Sequence, residues 1–276
     1  MRVGRILSKS VSGVDAIDVE VLLTKVLNIK RATLKAYPER ELNEHEQAEF
    51  NTLLQKRIQG EPIAYLVGHR EFWSLDFIVT PEVLIPRADT ELLVEIALEL
   101  IESKQNIRIL DLGTGSGAIA LAVASERPDA TVIATDVSVE ALKIAKLNAK
   151  HNHIVNVEFT LGDWFEAIAN DANAAFDMIL SNPPYIANFD PHLSRGDLRF
   201  EPSKALVSGV DGMDALNIII SKAGKYLVPD GLLLVEHGYD QEVLVATAFA
   251  TAGFINIACC KDLSGIPRVT YGILAS

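Results

Sequence analysis

The chain has 276 residues, 49% of them hydrophobic, and a formal net charge of −12 at pH 7. This length allows one sizeable α/β core together with a smaller module. No apolar run reaches membrane-spanning length, and residues 1–20 lack the continuous apolar stretch of a secretory signal, so we expect no membrane association.

The acidic excess lies entirely in the later part of the chain. Residues 1–88 hold 12 basic and 12 acidic side chains, whereas residues 89–276 hold 13 basic and 25 acidic ones. Such a balance disfavours a surface that follows nucleic-acid phosphates, and we expect a protein partner with no direct nucleic-acid binding. The only cysteines, Cys259 and Cys260, are adjacent, which disfavours a disulfide and provides no metal cluster. A reducing cytoplasm is the expected compartment.

The first segment has the spacing of amphipathic helices. One apolar stripe is predicted to contain Ile17, Val21, Leu22 and Val26, and a second helix contains residues 50–57. Asn43 followed by Glu46 predicts a capping box at the start of that second helix. We therefore predict a small helical domain over residues 1–71 that recognises a partner.

Residues 61–89 change in character. Aromatic and β-branched residues are punctuated by Pro62, Pro81 and Pro86, a pattern typical of a hairpin-like connector, which we place at residues 72–88.

Strand and helix patterns alternate from residue 107 onward, which predicts a parallel doubly wound sheet in a domain spanning residues 89–276. Strands are predicted at 107–112, 131–135, 157–161 and 176–180, with helices at 119–125 and 139–149. Three later strands, at 232–236, 255–260 and 269–274, have one clear helix between them, at 241–252, so the last two are expected to pair antiparallel.

A glycine-rich segment, residues 110–118, links the first strand of this domain to a helix. Three glycines permit the backbone to approach a ligand closely. Gly113, Gly115 and Ala118 also satisfy the dinucleotide pattern G-x-G-x-x-A, and Asp136 is suitably placed to bind a ribose. NAD and S-adenosylmethionine share that adenosine fragment, so both stay open on this pattern. Trp164 either faces an adenine or anchors the core.

Asn182-Pro183-Pro184-Tyr185 follows the strand at 176–180. Two prolines fix two φ angles and remove two backbone donors, which leaves acceptors in a rigid loop. A planar NH2 group could donate to the Asn182 side-chain oxygen and the Pro183 carbonyl while Tyr185 packs on its face. Adenine and glutamine both carry such a group, and the alternative is a turn that ends the strand.

Taken together, these motifs resemble those of the protein-(glutamine-N5) methyltransferases that modify peptide chain release factors. The resemblance covers nearly the whole chain. Besides the glycine and proline loops, it rests on the segments Gly-Glu-Pro-Ile-Ala-Tyr-Leu at 60–66, Arg-Glu-Phe-Trp at 70–73, Leu-Ile-Pro-Arg at 84–87 and Arg-Phe-Glu-Pro at 199–202. One departure is Ala88, where the family usually has proline, so the connector is expected to be less rigid without loss of activity.

This resemblance implies an α/β fold: a seven-stranded class I S-adenosylmethionine-dependent methyltransferase domain of Rossmann-like type, with a helical N-terminal domain and a hairpin connector. It also implies that the substrate is the glutamine of the Gly-Gly-Gln motif in release factors 1 and 2, and that its methylation modulates translation termination. The implied methyl-donor residues are Gly113, Thr114, Gly115, Ser116, Gly117, Asp136, Trp164 and Asn182. The implied glutamine-binding residues are Asn182, Pro183, Pro184 and Tyr185, of which Asn182, Pro183 and Tyr185 are catalytic.

An amide nitrogen is a poor nucleophile, and no side chain can deprotonate it beforehand. We therefore expect a hydrogen-bond frame that orients the nitrogen, with no general base and no metal. Two rival hypotheses are a DNA adenine-N6 methyltransferase, which shares the proline loop, and a non-catalytic module that binds release factors.

The roles of four further residues stay open in the sequence. His237 and Glu236 could line the site or be ordinary local groups. Arg199 and Glu201 could order the loop after Tyr185 or pair with each other.

Overall fold

A computed structural model describes residues 1–8, 11, 13–169 and 175–275. The chain divides into two compact units. The helical unit comprises Met1–His69 and His192–Phe200, and the catalytic unit comprises Arg70–Pro191 and Glu201–Ser276.

The helical unit contains five α-helices among its described residues. They are α1 (Val3–Leu7), α2 (Ala16–Leu27), α3 (Arg31–Ala36), α4 (Glu44–Ile58) and α5 (Ile63–Val67). The predicted capping box is confirmed: the Asn43 side chain accepts from the Glu46 N–H, and the Glu46 carboxylate accepts from the Asn43 N–H.

The buried face of α2 differs from the predicted stripe. Ile17 is 59% exposed, whereas Val19, Leu23 and Leu27 are buried with Leu22 in the core of this unit. Most positions of α2 are apolar, so the helical period fits more than one face, and only the packing partners select between them.

The domain boundaries also differ from those predicted. Residues 192–200 belong with the helical unit, where Asp197 lies 3.9 Å from the Arg57 guanidinium. The hairpin begins before the predicted 72–88 connector, because its strands are β1 (His69–Phe72) and β2 (Leu75–Ile78). Trp73 and Ser74 form its turn with φ of 52° and 59°. Turns with positive φ usually contain glycine or asparagine, so the residue types at these positions did not predict this turn.

The catalytic unit contains the predicted seven-stranded sheet. The seven strands of this sheet are β3 (Arg108–Leu112), β4 (Thr131–Asp136), β5 (Val157–Leu161), β6 (Phe176–Ser181), β7 (Leu227–Glu236), β8 (Phe254–Lys261) and β9 (Pro267–Leu274). The strand order is β5-β4-β3-β6-β7-β9-β8, and β9 runs antiparallel to both of its neighbours, as predicted for the last pair. The helices are α6 (Glu91–Leu100), α7 (Ala118–Glu126), α8 (Val139–His151), α9 (Asp214–Ala223) and α10 (Glu242–Thr251).

The core of this unit is formed where the sheet meets its helices. Strand β3 is buried from Ile109 to Leu112, and α7 is buried at every position from Ala118 to Ala124. The small side chains of α7 allow it to pack closely between neighbouring elements. Among the described residues, no helix is both long and apolar enough to cross a membrane.

Asn148, a fully buried residue of α8, ties three backbone segments of the catalytic unit together. Its Oδ1 accepts from the Ile78 N–H at 2.7 Å, and its Nδ2 donates to the carbonyls of Ile78 at 3.0 Å and Ser116 at 2.9 Å. The hairpin strand β2 and the start of α7 are therefore both fixed to α8.

Replacing Asn148 with alanine should lower the free energy of unfolding by about 2–4 kcal/mol, because buried backbone groups of Ile78 and Ser116 lose their partners. Asn152 is the matched control, since it also joins α8 to the hairpin but sits at a more exposed position, where its amide donates to the Asp76 carbonyl. Thermal unfolding and hydrogen exchange at the Ile78 amide measure the effect. Equal losses in Asn148→Ala and Asn152→Ala would contradict this assignment.

Candidate active site

The site lies where the sheet reverses its strand order. Strand β3 pairs in parallel with β4 on one side and β6 on the other, with Leu112 beside Ser181 at the carboxyl ends. The buried Ser181 hydroxyl donates to the Leu112 carbonyl at 2.8 Å. Crevices at such reversal points are the usual ligand sites of doubly wound sheets, and here the glycine and proline loops leave the sheet side by side.

Short hydrogen bonds hold the glycine loop against the sheet. The Thr114 N–H donates to the Thr135 carbonyl at 2.8 Å, and its hydroxyl donates to Asp111 Oδ2 at 2.6 Å. Gly113 has a φ of +72°, and a Cβ added there would lie 3.4 Å from the Trp164 ring. Glycine thus meets both the backbone conformation and the close approach of the ring.

Asp136 fixes the rim of this loop. Its Oδ2 accepts from the Gly115 N–H and its Oδ1 from the Ser138 N–H, both at 2.8 Å. Burial raises the carboxyl pKa, and the backbone N–H groups of Ser138, Gly115 and Val137 oppose the shift. Each carboxylate oxygen keeps a further lone pair for a ligand hydroxyl.

A cavity of about 320 Å³ opens beside these groups, within the size range of small-molecule sites. Five of the eight predicted donor-binding residues line it: Gly113, Gly115, Asp136, Trp164 and Asn182. Leu84 and Pro202, which belong to two of the sequence motifs, also line the cavity, whereas residues 82–83 and 203–205 are wall segments that no motif singled out.

The other three predicted donor-binding residues support the loop from behind. Thr114 and Ser116 are buried at 6% and 3% exposure, with Thr114 bonded to Asp111 and the Ser116 carbonyl to Asn148. Gly117 is the N-cap residue of α7, and a Cβ there would contact Leu121.

Trp164 has contacts in two directions. Its ring lines the cavity, and it also packs against the apolar core of the catalytic unit. Its φ of 46° directs the backbone out of strand geometry just after Asp163.

The proline loop is held from several directions. The Asn182 Nδ2 donates to the Thr90 hydroxyl at 3.0 Å, and the Tyr185 hydroxyl donates to Glu236 Oε1 at 3.2 Å. The Tyr185 carbonyl accepts from Gln241 Nε2 at 3.0 Å. Gly212 permits this packing, since a Cβ there would collide with the Tyr185 carbonyl and lie 2.6 Å from Gln241 Nε2.

The two prolines occupy different environments. Pro184 lines the cavity, whereas Pro183 is buried. Of the four predicted glutamine-binding residues, Asn182 and Pro184 therefore share a wall with the predicted donor-binding residues. Tyr185 is tied to Glu236 on a neighbouring strand.

Two carboxyl groups beside the loops have strongly shifted acidity. Burial raises the pKa of Asp111 to about 7 and that of Glu236 to about 7. Burial and the Glu236 carboxylate also raise the pKa of Tyr185, so its phenol stays protonated at neutral pH. Tyr185 is thus a hydrogen-bond donor and cannot act as a base.

The residues whose roles the sequence left open have different hydrogen-bond and ion-pair partners. His237 is fully buried, and its ring bonds the Gly238 carbonyl at 2.9 Å and the Thr270 hydroxyl at 2.8 Å. Glu201 accepts from the Ile85 N–H at 3.2 Å and pairs with Arg87. Arg199, which belongs to the helical unit, donates to the Gly196 carbonyl. Glu201 therefore secures the segment before Ala88.

The segment around Ala88 is anchored at three positions. Arg87 pairs with Glu201, Asp89 lies 3.1 Å from Arg268, and Glu91 accepts from the Trp73 N–H at 2.9 Å. Ala88 itself starts a short 3-10 helix that ends at Thr90.

Two family matches cover most of the chain. Residues 103–261 match the methyltransferase domain family, and residues 3–68 match the PrmC N-terminal domain family. Among solved structures, a methyltransferase from Pyrococcus furiosus aligns with a TM-score of 0.55 at 18% identity, covering 82% of this chain and 100% of that one. A 16S rRNA N2 G1207 methyltransferase from Thermus thermophilus aligns with a TM-score of 0.55, also at 18% identity, covering 75% and 49%. These similarities establish the methyltransferase fold.

Curated relatives are similar over nearly their full length. A release factor glutamine methyltransferase from Aliivibrio fischeri is 50% identical over 93% of this chain and 89% of its own. Those from Escherichia coli and Xylella fastidiosa (strain 9a5c) are 48% and 47% identical, covering 92% and 97% of this chain and 91% and 96% of their own. The chain belongs to the release factor glutamine methyltransferase family of S-adenosylmethionine-dependent enzymes.

Proposed function

We propose that this chain transfers the methyl group of S-adenosylmethionine to the side-chain amide nitrogen, N5, of the glutamine in the Gly-Gly-Gln motif of release factors 1 and 2. The observation that carries the proposal is the position of Asn182. It lines the cavity beside Asp136 and Trp164, in a chain whose full-length relatives are named for glutamine methylation.

The cavity residues fit the methyl donor, which supplies an electrophilic methyl group on a positively charged sulfur. Asp136 offers free lone pairs to the two ribose hydroxyls, and Trp164 offers an aromatic face to adenine. The backbone at Gly113 and Gly115 approaches the cavity without side chains in the way.

The proline loop, residues 182–185, is suited to orient an amide, and in this role we call it the acceptor loop. Because Asn182 gives its NH2 group to Thr90, its Oδ1 is the atom left to accept from a substrate NH2 group. The Pro183 carbonyl is the second acceptor in our proposal. Together they would hold the amide nitrogen with its lone pair toward the methyl group, which lowers the entropic part of the barrier.

Methyl transfer breaks the carbon–sulfur bond, forms a carbon–nitrogen bond and leaves a neutral thioether. The methylated amide nitrogen is briefly cationic and strongly acidic, so its proton passes to water without a strong base. The protonated state of Tyr185 is consistent with this scheme, which needs no metal.

The direct test is to incubate the chain with labelled S-adenosylmethionine and folded release factor, and to map the modified residue by mass spectrometry. We expect one methyl group on the glutamine of Gly-Gly-Gln, and none when that glutamine is replaced by alanine. Asn182→Ala should lower kcat by about 100- to 1,000-fold, the usual cost of removing a positioned transition-state contact.

The same assay separates the rival hypotheses. Methylation of adenine in DNA without methylation of release factor would favour the adenine-N6 alternative. Binding of release factor without turnover, unchanged in Asn182→Ala, would favour a non-catalytic module.

Asp136→Asn should weaken binding of the methyl donor by about 10- to 100-fold, because an amide NH2 replaces one carboxylate oxygen and faces a backbone N–H. Glu95→Gln, on the exposed side of α6, is the charge-matched control and should leave the affinity unchanged. Calorimetric titration of both variants gives the comparison. An unchanged affinity in Asp136→Asn would remove this residue from the donor site.

We further propose that the helical unit recognises the folded release factor, since one flexible glutamine offers little binding surface. This unit matches the PrmC N-terminal domain family. Hydrogen exchange of the full chain with saturating release factor should show protection in α2 or α4. Protection confined to the catalytic unit would refute this role.

A further inference from the structure

Thr90 connects the acceptor loop to a buried acid. The residue is 4% exposed and ends the 3-10 helix that begins at Ala88. Its hydroxyl oxygen accepts from Asn182 Nδ2 at 3.0 Å. The same hydroxyl lies near the Glu236 carboxyl and lowers the pKa of that acid. A hydroxyl has only one proton to give, so the direction of each bond constrains the other.

Glu236 is 2% exposed at the end of β7. Its Oε1 accepts from the Tyr185 hydroxyl, and its buried Oε2 has no hydrogen-bond partner within the described residues, which leaves it open to the Thr90 hydroxyl. An ionised carboxylate can only accept hydrogen bonds. Thr90 must then donate to Glu236, which leaves its oxygen lone pair for the NH2 group of Asn182.

We propose that Glu236 and Thr90 are positioning residues that fix the Asn182 carboxamide with its oxygen free for the substrate amide. The proposal rests on the glutamine methylation proposed above. Without this relay, the carboxamide could rotate by 180° and present its own NH2 group to the NH2 group of the substrate, which provides no acceptor.

Protonation of Glu236 would reverse the relay. A protonated carboxyl can donate to the Thr90 oxygen, after which the Thr90 hydroxyl donates to Asn182 Oδ1 and the carboxamide turns over. Burial raises the pKa of Glu236 to about 7, Asp89 adds to this shift, and Arg268 opposes it. Burial lowers the pKa of the adjacent His237. Activity should therefore be lost as the pH falls below about 7.

The first experiment compares Thr90→Val with Thr90→Ser, measuring kcat and KM for release factor at pH 8 with saturating S-adenosylmethionine. We expect Thr90→Val to lower kcat about 5- to 20-fold, the range for one orienting hydrogen bond, with KM and donor affinity within about 2-fold of wild type. Thr90→Ser restores the hydroxyl and should recover most of kcat. Full activity in Thr90→Val would overturn the proposal, as would a loss that serine does not rescue.

The second experiment follows kcat between about pH 5.5 and 8.5 with both substrates saturating. Wild type should lose activity on the acid side, and Glu236→Gln, which cannot titrate, should show a lower but flat profile over the same range. Asp111 is the other buried acid with a pKa of about 7. Asp111→Asn is therefore the control and should keep the acid-side loss.

An acid-side loss that persists in Glu236→Gln and vanishes in Asp111→Asn would assign the titration to Asp111 and overturn the relay. These outcomes differ from a failure of the proposed function. In that case the wild-type chain would bind the donor but leave the glutamine unmethylated at every pH.

Discussion

The pairing of β3 with β6 is the constraint on which the site depends. Leu112 lies beside Ser181 at the carboxyl ends of the two strands, and the Ser181 hydroxyl donates to the Leu112 carbonyl. The glycine loop begins one residue after Leu112, and the acceptor loop one residue after Ser181. Backbone register therefore brings the cavity beside the glycine loop and Asn182 together before any side chain contributes. Proximity of this kind is a large part of what catalysis by orientation requires.

Distant segments make the acceptor loop rigid. Gln241 donates to the Tyr185 carbonyl, and Gly212 leaves room for that contact. Two prolines restrict the backbone from within, whereas these contacts restrict it from outside. A weak nucleophile gains most from such a rigid loop. Folding already fixes the hydrogen-bonding groups of the loop, so they need no reorganisation in the reaction step.

The sequence predicted those features that local patterns encode. Alternating strand and helix periods predicted the seven-stranded sheet, and the glycine and proline loops fall where those strands end. Features set by long-range packing were not predicted: the buried face of α2, the turn at Trp73 and Ser74, and the buried Asn148 between hairpin and glycine loop. No sequence pattern pointed to Thr90 either. The role proposed for it depends on Asn182 and Glu236, which lie at the ends of two strands that are distant from it in the sequence.

The two buried acids show what such a site costs in stability. The pKa of Asp111 and of Glu236 is raised from the ordinary carboxyl range to about 7, so between about pH 4 and 7 the folded chain holds protons that the unfolded chain has released. The free energy of unfolding therefore falls as the pH rises through this window. An amide or apolar side chain would avoid the loss, but neither would act as a fixed negative acceptor for Thr114 or Tyr185. The low-polarity surroundings that penalise the charge on Glu236 also strengthen its hydrogen bonds to neighbouring hydroxyls. Burial therefore both lowers the free energy of unfolding and orders the side chains of the site.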